Sequence, residues 1–398
     1  PRLFVRYPNP IRRAVGSSYF RRRTLGPATA CLALALLGGG CGTHEEYVWN
    51  IPEGFPRPLI PESNPMTAAK VEFGRHFFYD QRLSGNGEQA CASCHRPGDA
   101  FSEPRAQAVG STGGVNRRNT LALVNVAYND TLMWVHPGLR TIEQQLLIPM
   151  FGDNPVELGI AGRETEVLAR FRDDPVYAKL FASAFPGGEP LEFTHVVDAL
   201  ACFVRSLVSF ESPFDKYAYA AQDDALDAPA LNGLQHFFSE RFECHHCHGG
   251  FNFTQSSTHE SVAILGDAFH NTGLYNVGGK DAYPSEDQGL YDLTGESGDR
   301  GKFRAPTLRN VALTAPYMHD GSLADLGAVL DFYAAGGRDV ASGEHAGDGR
   351  ANAYKSQFVR GFEMTATERT ELLAFLHALT DPTFAARSEY QSPFAEEH

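Results

Sequence analysis

Beyond residue 40, this chain of 398 residues lacks both long hydrophobic runs and a surplus of basic charge. Its 34 Lys and Arg face 48 Asp and Glu, and the net charge of -14 argues against a nucleic-acid-binding protein. No apolar stretch in this part of the chain is long enough to span a membrane, so we expect a soluble body. The length allows two domains with substantial cores.

Residues 1–40 differ from the rest, because they hold seven Arg and no acidic residue. A basic stretch, an apolar stretch of about 15 residues and a run of small residues follow one another, as in an export signal. Cys41 comes directly after three glycines, as in a bacterial lipoprotein cleavage site. We predict export to the periplasm and leave two alternatives open, lipidation at Cys41 or secretion without a lipid.

Cysteine is scarce, with seven in the whole chain. Cys31 falls in the export signal, and Cys202 lies in an apolar helical pattern that predicts a packed core thiol. Apart from Cys41, the four remaining cysteines form two C-x-x-C-H motifs, at residues 91–95 and 244–248. An exported protein could pair cysteines in disulfides, but this local pattern favours another use.

C-x-x-C-H is the attachment motif of c-type haem, in which two thiols bind one porphyrin edge and the histidine ligates iron. A zinc site would need further Cys or His ligands at suitable spacing, and a redox dithiol would need a βαβ context. Both alternatives are weaker here. The predicted haem c ligands are Cys91, Cys94 and His95 for the first haem and Cys244, Cys247 and His248 for the second.

The order helix, motif, long loops and closing helix occurs twice along the chain. This order predicts a mainly α fold with two cytochrome c-type haem domains and long ordered loops. Asn64 and Pro65 are predicted to start the first helix, and Thr365 with Glu368 a capping box in the last. The predicted units are a signal (1–40), an extended segment (41–64), a first haem domain (65–212), a linker (213–228), a second haem domain (229–383) and a tail (384–398).

Sixth ligands decide whether a haem carries electrons or binds peroxide. There is no histidine between His95 and His136, and Met133 is the only methionine in that span. We therefore predict an open distal face on the first haem. His245 and His246 occupy the variable positions of the second motif, where we expect packing or solvent-facing roles.

Several longer stretches support a family resemblance over residues 50–383. The sequence resembles the bacterial di-haem cytochrome c peroxidases and, within them, the MauG-like and MbnH-type enzymes. The resemblance rests on "CASCH", "RRNTLALVNVAYN", "RTIEQQLLIPMFGDNPVELG", "ERFECHHCHGGFNFT" and "FRAPTLRNVALTAPYMHDGSLADLGAVLDFYAAGG". A loop histidine that caps the first haem in the peroxidases is missing here, as it is in MauG-like enzymes.

The resemblance implies roles for residues around the first haem. Gln145, Pro149 and Glu157 match the family's distal pocket. Glu157 would take the proton from the iron-bound oxygen of peroxide and deliver it to the leaving oxygen, and Gln145 would orient those oxygens. Trp134 matches a tryptophan between the two haems, where it would carry holes from one to the other.

The resemblance also implies ligands at the second haem. Tyr333 stands where cytochrome c peroxidases have a methionine ligand, and MauG-like enzymes also have tyrosine there. A phenolate would favour ferric and higher states over ferrous iron, and Met318 is the rival ligand. MauG itself has a tryptophan two residues before the second motif for passing holes to its substrate. That position is Phe242 in this chain.

A calcium ion between the haems is implied as well. Asn125, Thr314 and Pro316 match the family's Ca²⁺ ligands, through one amide oxygen and two backbone carbonyls. Such oxygen donors, with waters, are the usual ligands of Ca²⁺.

The leading hypothesis is an H₂O₂-dependent di-haem oxidase that forms a high-valent di-iron state and oxidises a remote substrate. The resemblance implies a tryptophan side chain of a secreted or periplasmic partner, which in MbnH-type enzymes is a copper-binding protein whose tryptophan becomes kynurenine. One alternative is a cytochrome c peroxidase that uses a small electron-donor protein. The other is a di-haem electron carrier without catalytic activity.

Overall fold

The computed structural model describes residues 46–188, 190–260 and 268–394. Cys41 and the predicted export signal lie outside the described residues. The described part is mostly helical with few strands, which confirms the predicted mainly α fold. None of its helices is long and apolar enough to cross a membrane. The α-helices are α1 (Ala68–Tyr79), α2 (Ile142–Phe151), α3 (Glu164–Arg172), α4 (Pro175–Ala184), α5 (Phe193–Ser206), α6 (Pro213–Ala218), α7 (Ala228–Phe237), α8 (Tyr291–Thr294), α9 (Leu326–Ala335) and α10 (Ala366–His377).

The first hydrophobic core forms where α1 packs against α5. Phe73 and Phe77 of α1 are fully buried there. Gly74 lies on the same face, and a Cβ at this position would overlap the backbone of Ala199 in α5. Glycine therefore lets the two helices approach closely. Cys202 of α5 is buried in the same region, as predicted.

The start of α1 differs from the prediction. Thr67 is the N-cap, and its hydroxyl accepts a hydrogen bond from the Lys70 backbone N–H at 3.1 Å. The prediction that Asn64 caps this helix and Pro65 opens it was wrong. Asn64 is buried and joins two elements instead, because its amide donates to Glu143 of α2 at 2.8 Å and accepts from the Lys70 ammonium at 3.0 Å.

The second core repeats this arrangement with α7 and α10. A Cβ at Gly233 of α7 would overlap the Glu371 carbonyl of α10, so glycine again permits close approach. The predicted capping box of α10 is confirmed. The Thr365 hydroxyl accepts from the Glu368 N–H at 3.2 Å, and the Glu368 carboxylate accepts from the Thr365 N–H at 2.8 Å.

The stretch predicted as a linker contains an ordered helix, α6. Phe214 of α6 is buried in the second core. Asp215 forms a buried ion pair with Arg309 at 2.8 Å, so α6 is tied to the loops of the second half. The limits of the two haem domains stay a prediction.

Short strands and loops fill the space between the cores. β1 (Phe269–Asn271) pairs antiparallel with β2 (Lys302–Arg304), with Phe269 opposite Arg304. β3 (Asp339–Val340) pairs with β4 (Gly347–Asp348). Phe303 of β2 belongs to a third apolar cluster, against which Trp134, Met318 and Tyr333 pack. Arg304, the last residue of β2, lines both of the cavities described below.

Candidate haem sites

Each C-x-x-C-H motif lines its own cavity. The first cavity has a volume of about 400 Å³ and the second about 210 Å³. The first is lined by Cys91, Cys94 and His95 together with Gln145, Glu157, His136 and Trp134. The second is lined by Cys244, Cys247 and His248 together with Tyr333, Met318 and Trp134.

The two motifs share one local conformation. Each begins with a single 3₁₀ turn, Cys91–Ser93 in the first and Cys244–His246 in the second. A turn of this kind brings the two thiols of each motif to the same cavity. Burial raises the pKa of Cys91 and Cys244 to about 12, so these thiols are neutral. The described cysteines form no disulfide, which leaves them available for thioether bonds.

Backbone carbonyls orient both motif histidines. His95 Nδ1 donates to the Phe101 carbonyl at 2.8 Å, and His248 Nδ1 donates to the Pro306 carbonyl at 3.1 Å. Because Nδ1 carries the proton in each ring, Nε2 keeps the lone pair that a metal needs. Burial lowers the pKa of His248 to about 4, which keeps this ring neutral. Phe101, whose carbonyl accepts the His95 hydrogen bond, has a φ of +60°, an uncommon conformation for a bulky residue.

A buried arginine between the cavities supports the fit of the haem groups. Arg304 lines both cavities and is only 3% exposed. Its Nε donates to the Met133 carbonyl at 3.1 Å, but its Nη1 has no hydrogen-bond partner among the described residues. Burial lowers the pKa of Arg304 to about 10. An unpaired buried charge is costly, and a propionate carboxylate of a bound haem would be its natural partner. Arg304 lies in a stretch that supports the family resemblance, but our sequence analysis gave it no role.

Glu157 and Gln145 both reach the first cavity. Glu157 Oε1 accepts a hydrogen bond from Asn116 Nδ2 at 3.2 Å. Burial is the larger influence and raises the pKa of Glu157 above its usual value, which the Asn116 hydrogen bond partly offsets. A carboxyl group with a raised pKa is suited to both accept and return a proton near neutral pH.

Pro149 has a different position from the one expected for a pocket residue. It lies inside α2 and is not among the residues that line the cavity. Its carbonyl accepts a hydrogen bond from the Leu158 N–H at 2.9 Å, while the Glu157 carbonyl accepts from the Ser111 N–H at 2.8 Å. Pro149 therefore helps to hold the loop that carries Glu157. Pro155, which the sequence analysis did not select, lines the cavity.

Asn116→Ala is expected to move the acid limb of the pH–rate profile for the reaction with H₂O₂ to higher pH. The Asn116 hydrogen bond stabilises the carboxylate form of Glu157, so its loss raises the Glu157 pKa further. The proton-accepting form then disappears at a higher pH as the solution is acidified. Stopped-flow rates of the reaction with H₂O₂ across a pH series measure this shift.

Asn86→Ala is the control for that series, because Asn86 makes the same contact, Nδ2 to carboxylate at 3.2 Å, with the exposed Glu88. Its pH profile should match that of the unchanged protein. An unshifted profile in Asn116→Ala would show that Glu157 does not set the acid limb.

His136 also lines the first cavity, and the sequence analysis did not consider it as a pocket residue. Its Nδ1 is buried and has no hydrogen-bond partner among the described residues. Gly138 lies close to the His136 ring, because a Cβ at this position would be 3.3 Å from it. The side chain is therefore a polar group available to whatever occupies this cavity.

Tyr333 and Met318 both line the second cavity, so the cavity contains the predicted ligand and its rival. Tyr333 is on α9. Burial raises the pKa of the Tyr333 phenol well above its usual range. A phenolate at this position would need a nearby cation such as a bound iron.

Trp134 borders both cavities. Its indole Nε1 donates to the Asn119 carbonyl at 2.8 Å, which fixes the ring in the wall between them. Asn119 itself lines both cavities, and its backbone N–H donates to the His319 carbonyl at 2.6 Å. The two halves of the chain thus meet at this tryptophan.

The predicted calcium ligands are not brought together as expected. Thr314 and Pro316 line the second cavity, but Asn125 does not. Asn125 is fully buried, and its Oδ1 accepts a hydrogen bond from the Ser209 N–H at 2.7 Å. Asn119 lines the same cavity as Thr314 and Pro316. Its Nδ2 donates to the backbone carbonyls of residues 105 and 106, so Oδ1 is the atom of this amide that can act as a metal ligand.

Comparisons with known proteins agree with this geometry. The family model described as "Di-haem cytochrome c peroxidase" matches residues 68–224. The methylamine utilization protein MauG of Methylorubrum extorquens is 33% identical over 328 residues, which cover 82% of each chain. The cytochrome c551 peroxidase of Pseudomonas aeruginosa is 30% identical over 265 residues, covering 66% of this chain and 70% of the relative.

Solved structures of di-haem proteins also resemble this chain. A crystal structure of "a MauG-like protein associated with microbial copper homeostasis" superposes with a TM-score of 0.85 at 44% identity, covering 87% of this chain and 99% of that one. The di-haem peroxidase BthA of Burkholderia thailandensis shares the fold, with a TM-score of 0.62 at 21% identity, covering 83% of this chain and 91% of that one. On this evidence the chain belongs to the MauG-like di-haem cytochrome c peroxidase family and is an H₂O₂-dependent oxidoreductase with two haem c groups.

Proposed function

We propose that this enzyme uses H₂O₂ to oxidise a tryptophan side chain of a partner protein in the periplasm. The observation that carries the proposal is Trp134, which lies in the wall shared by the two cavities. A shared aromatic ring suits an enzyme in which peroxide is reduced at one site and oxidising equivalents are held at another. A peroxidase that receives electrons one at a time from a donor protein has less need of such storage.

At the first site, the proposed role of the side chains is to transfer protons and to orient peroxide. A haem held by Cys91, Cys94 and His95 would supply the redox-active iron for the reduction of peroxide. Glu157 accepts a proton from one peroxide oxygen and returns it to the other, which leaves as water. Gln145 donates hydrogen bonds that orient the oxygens, and Asn116 fixes the Glu157 carboxylate. Each H₂O₂ takes up two electrons and two protons and becomes two waters.

At the second site, His248 and Tyr333 are proposed as the two protein ligands of the iron. An anionic phenolate favours the more oxidised states of iron, whereas a thioether such as Met318 favours the reduced state. Tyr333 therefore suits a site that retains oxidising equivalents until a substrate arrives. Trp134 lies between this site and the first and is the proposed relay.

Calcium is proposed to bind beside Trp134. Asn119, rather than Asn125, is proposed as its amide ligand. Thr314 and Pro316 keep their proposed roles as carbonyl ligands. Metal analysis by mass spectrometry should find one Ca²⁺ in the unchanged protein and in a folded Asn125→Ala variant. Asn119→Ala should lose it, because the amide oxygen that faces the ion is removed. Retention of calcium in Asn119→Ala with loss in Asn125→Ala would restore the original assignment.

The choice of a protein substrate is supported by the relative of 44% identity that is linked to microbial copper homeostasis. We propose a partner of the same class, a secreted copper-binding protein with an exposed tryptophan. Phe242 is buried and its ring centroid lies 4.7 Å from that of Phe362, so this aromatic pair stands where MauG has its exit tryptophan. The exit route for holes in this chain thus differs from that of MauG.

The test uses the haem-loaded enzyme, H₂O₂ and a purified copper-binding protein encoded beside its gene. Peptide mass spectrometry should find oxidation of one tryptophan of that protein, dependent on both enzyme and peroxide. Reduced cytochrome c, offered in a parallel reaction, should be oxidised much more slowly. Rapid peroxide consumption with cytochrome c and no tryptophan oxidation would favour the ordinary cytochrome c peroxidase activity instead, which the Pseudomonas relative carries in its name.

A further inference from the structure

Three ligand-type side chains converge beside the second haem motif and have no part in the function proposed above. His245 and His246 follow Cys244 directly, and Glu240 lies in the loop before the motif. One ligand atom from each of the three lies within 4.8 Å of the others. We propose that Glu240, His245 and His246 form a binding site for a divalent transition-metal ion of the Zn²⁺ and Cu²⁺ class.

The two oxygens of the Glu240 carboxylate face one imidazole each, at distances that suit ligands of a shared ion. Glu240 lies 3.5 Å from His245 Nε2 and 3.3 Å from His246 Nε2. Charge-assisted hydrogen bonds between such groups are shorter, at about 2.7–2.9 Å. Two ligands of one tetrahedral ion with metal–ligand bonds of about 2.0–2.1 Å lie about 3.3 Å apart. One carboxylate facing two imidazoles at this spacing is the arrangement of a metal site.

Aromatic neighbours hold both rings in place. The His246 ring stacks on Phe358, with centroids 4.2 Å apart and an angle of 13°. The His245 ring lies against Phe238, with centroids 5.9 Å apart, and its centroid is 4.2 Å from that of His246. Gln255 also fixes this turn, because its Nε2 donates to the His246 carbonyl at 2.7 Å. The two imidazoles are thus pre-positioned rather than free to rotate away.

A second carboxylate adds negative charge under the site. Glu243 has a buried side chain, 3% exposed, with one oxygen 2.7 Å from His246 Nε2 and an ion pair to Arg360. Arg360 is the counter-charge of Glu243. Glu240 itself is 79% exposed, so the site opens to solvent and an ion can enter.

The donor set selects the class of ion. Imidazole nitrogens suit Zn²⁺ and Cu²⁺, and affinity at such sites rises toward Cu²⁺. Ca²⁺ and Mg²⁺ prefer sites made of oxygen ligands, so they should bind poorly here. Its three residues are not among the proposed calcium ligands or the proposed iron ligands, although the neighbouring Glu243 and Phe358 line the second cavity.

The test is a titration of the untagged, haem-loaded protein with Cu²⁺, Zn²⁺ or Ca²⁺, followed by metal analysis and, for copper, by electron paramagnetic resonance. One equivalent of Cu²⁺ should bind with nitrogen hyperfine coupling from two imidazoles, and Zn²⁺ should compete with it. Glu240→Gln, His245→Gln and His246→Gln should each weaken binding by at least about tenfold. Ca²⁺ should not compete.

His345→Gln is the matched control, because His345 pairs with the carboxylate of Glu286 at 3.2 Å and belongs to no cluster of three such ligands among the described residues. Its copper affinity should equal that of the unchanged protein. Glu240 is exposed, so the Glu240→Gln result is informative even if a histidine variant loses haem. Equal copper binding in Glu240→Gln and the unchanged protein, or competition by Ca²⁺, would overturn the proposal.

Discussion

Glu157→Gln is expected to slow the reaction with H₂O₂ by about 10²–10⁴-fold, which is the usual contribution of a general acid–base group. The amide keeps the size and the hydrogen bond to Asn116 but cannot take up a proton. Haem attachment and the ultraviolet–visible spectrum of the resting enzyme should be unchanged. Stopped-flow mixing with peroxide measures the rate directly.

Glu88→Gln is the control for this loss. Glu88 accepts a hydrogen bond from an asparagine amide at 3.2 Å, as Glu157 does, but it is exposed and does not line the cavity. Its rate should equal that of the unchanged enzyme. If Glu157→Gln reacts as fast as Glu88→Gln, proton transfer belongs to another group, and His136 is then the first candidate.

Tyr333→His is expected to leave both haems attached but to remove the long-lived oxidised state that follows the addition of peroxide. Replacing an anionic phenolate by a neutral imidazole removes the preference of the second iron for its oxidised forms. The reduction potential of the second haem should rise, within the span of about 0.8 V that axial ligands cover. Spectroelectrochemistry and the decay of the spectrum after one equivalent of H₂O₂ measure the two effects.

Met318→Leu separates the two candidate ligands of the second site. Met318 lines the same cavity as Tyr333, so the exchange probes the cavity without touching the phenol. In Met318→Leu, the reduction potential of the second haem and the decay of the spectrum after peroxide should match those of the unchanged enzyme. A large change in Met318→Leu with little change in Tyr333→His would make methionine the ligand.

Most of the features that could be predicted from the sequence are short local motifs. The C-x-x-C-H turns need neighbouring residues only, and both fold as single 3₁₀ turns that present their side chains to a cavity. The capping box of Thr365 and Glu368 is likewise a short-range pattern. These features depend on backbone geometry within a few residues, so one sequence is enough to find them.

Contacts between distant segments were the part that sequence could not reveal. Asn64 looked like a helix cap, but its amide hydrogen bonds to Glu143, 79 residues away. Asn125 and Asn119 lie six residues apart in one motif, and only the folded chain shows which of them lines the second cavity. Arg304 stands in a stretch that supports the family resemblance, but its burial between two cavities and its unpaired Nη1 are visible only in the folded chain.

We propose that the two haems differ: the iron at His95 would have no second protein ligand, whereas His248 and Tyr333 would both ligate the other iron. Low-temperature electron paramagnetic resonance of the diferric, haem-loaded protein tests this most directly. We predict one high-spin and one low-spin signal, with the low-spin signal altered in Tyr333→His. Two low-spin signals would contradict the open site, and conversion of one of them to high spin by His136→Ala would identify the residue that closes it.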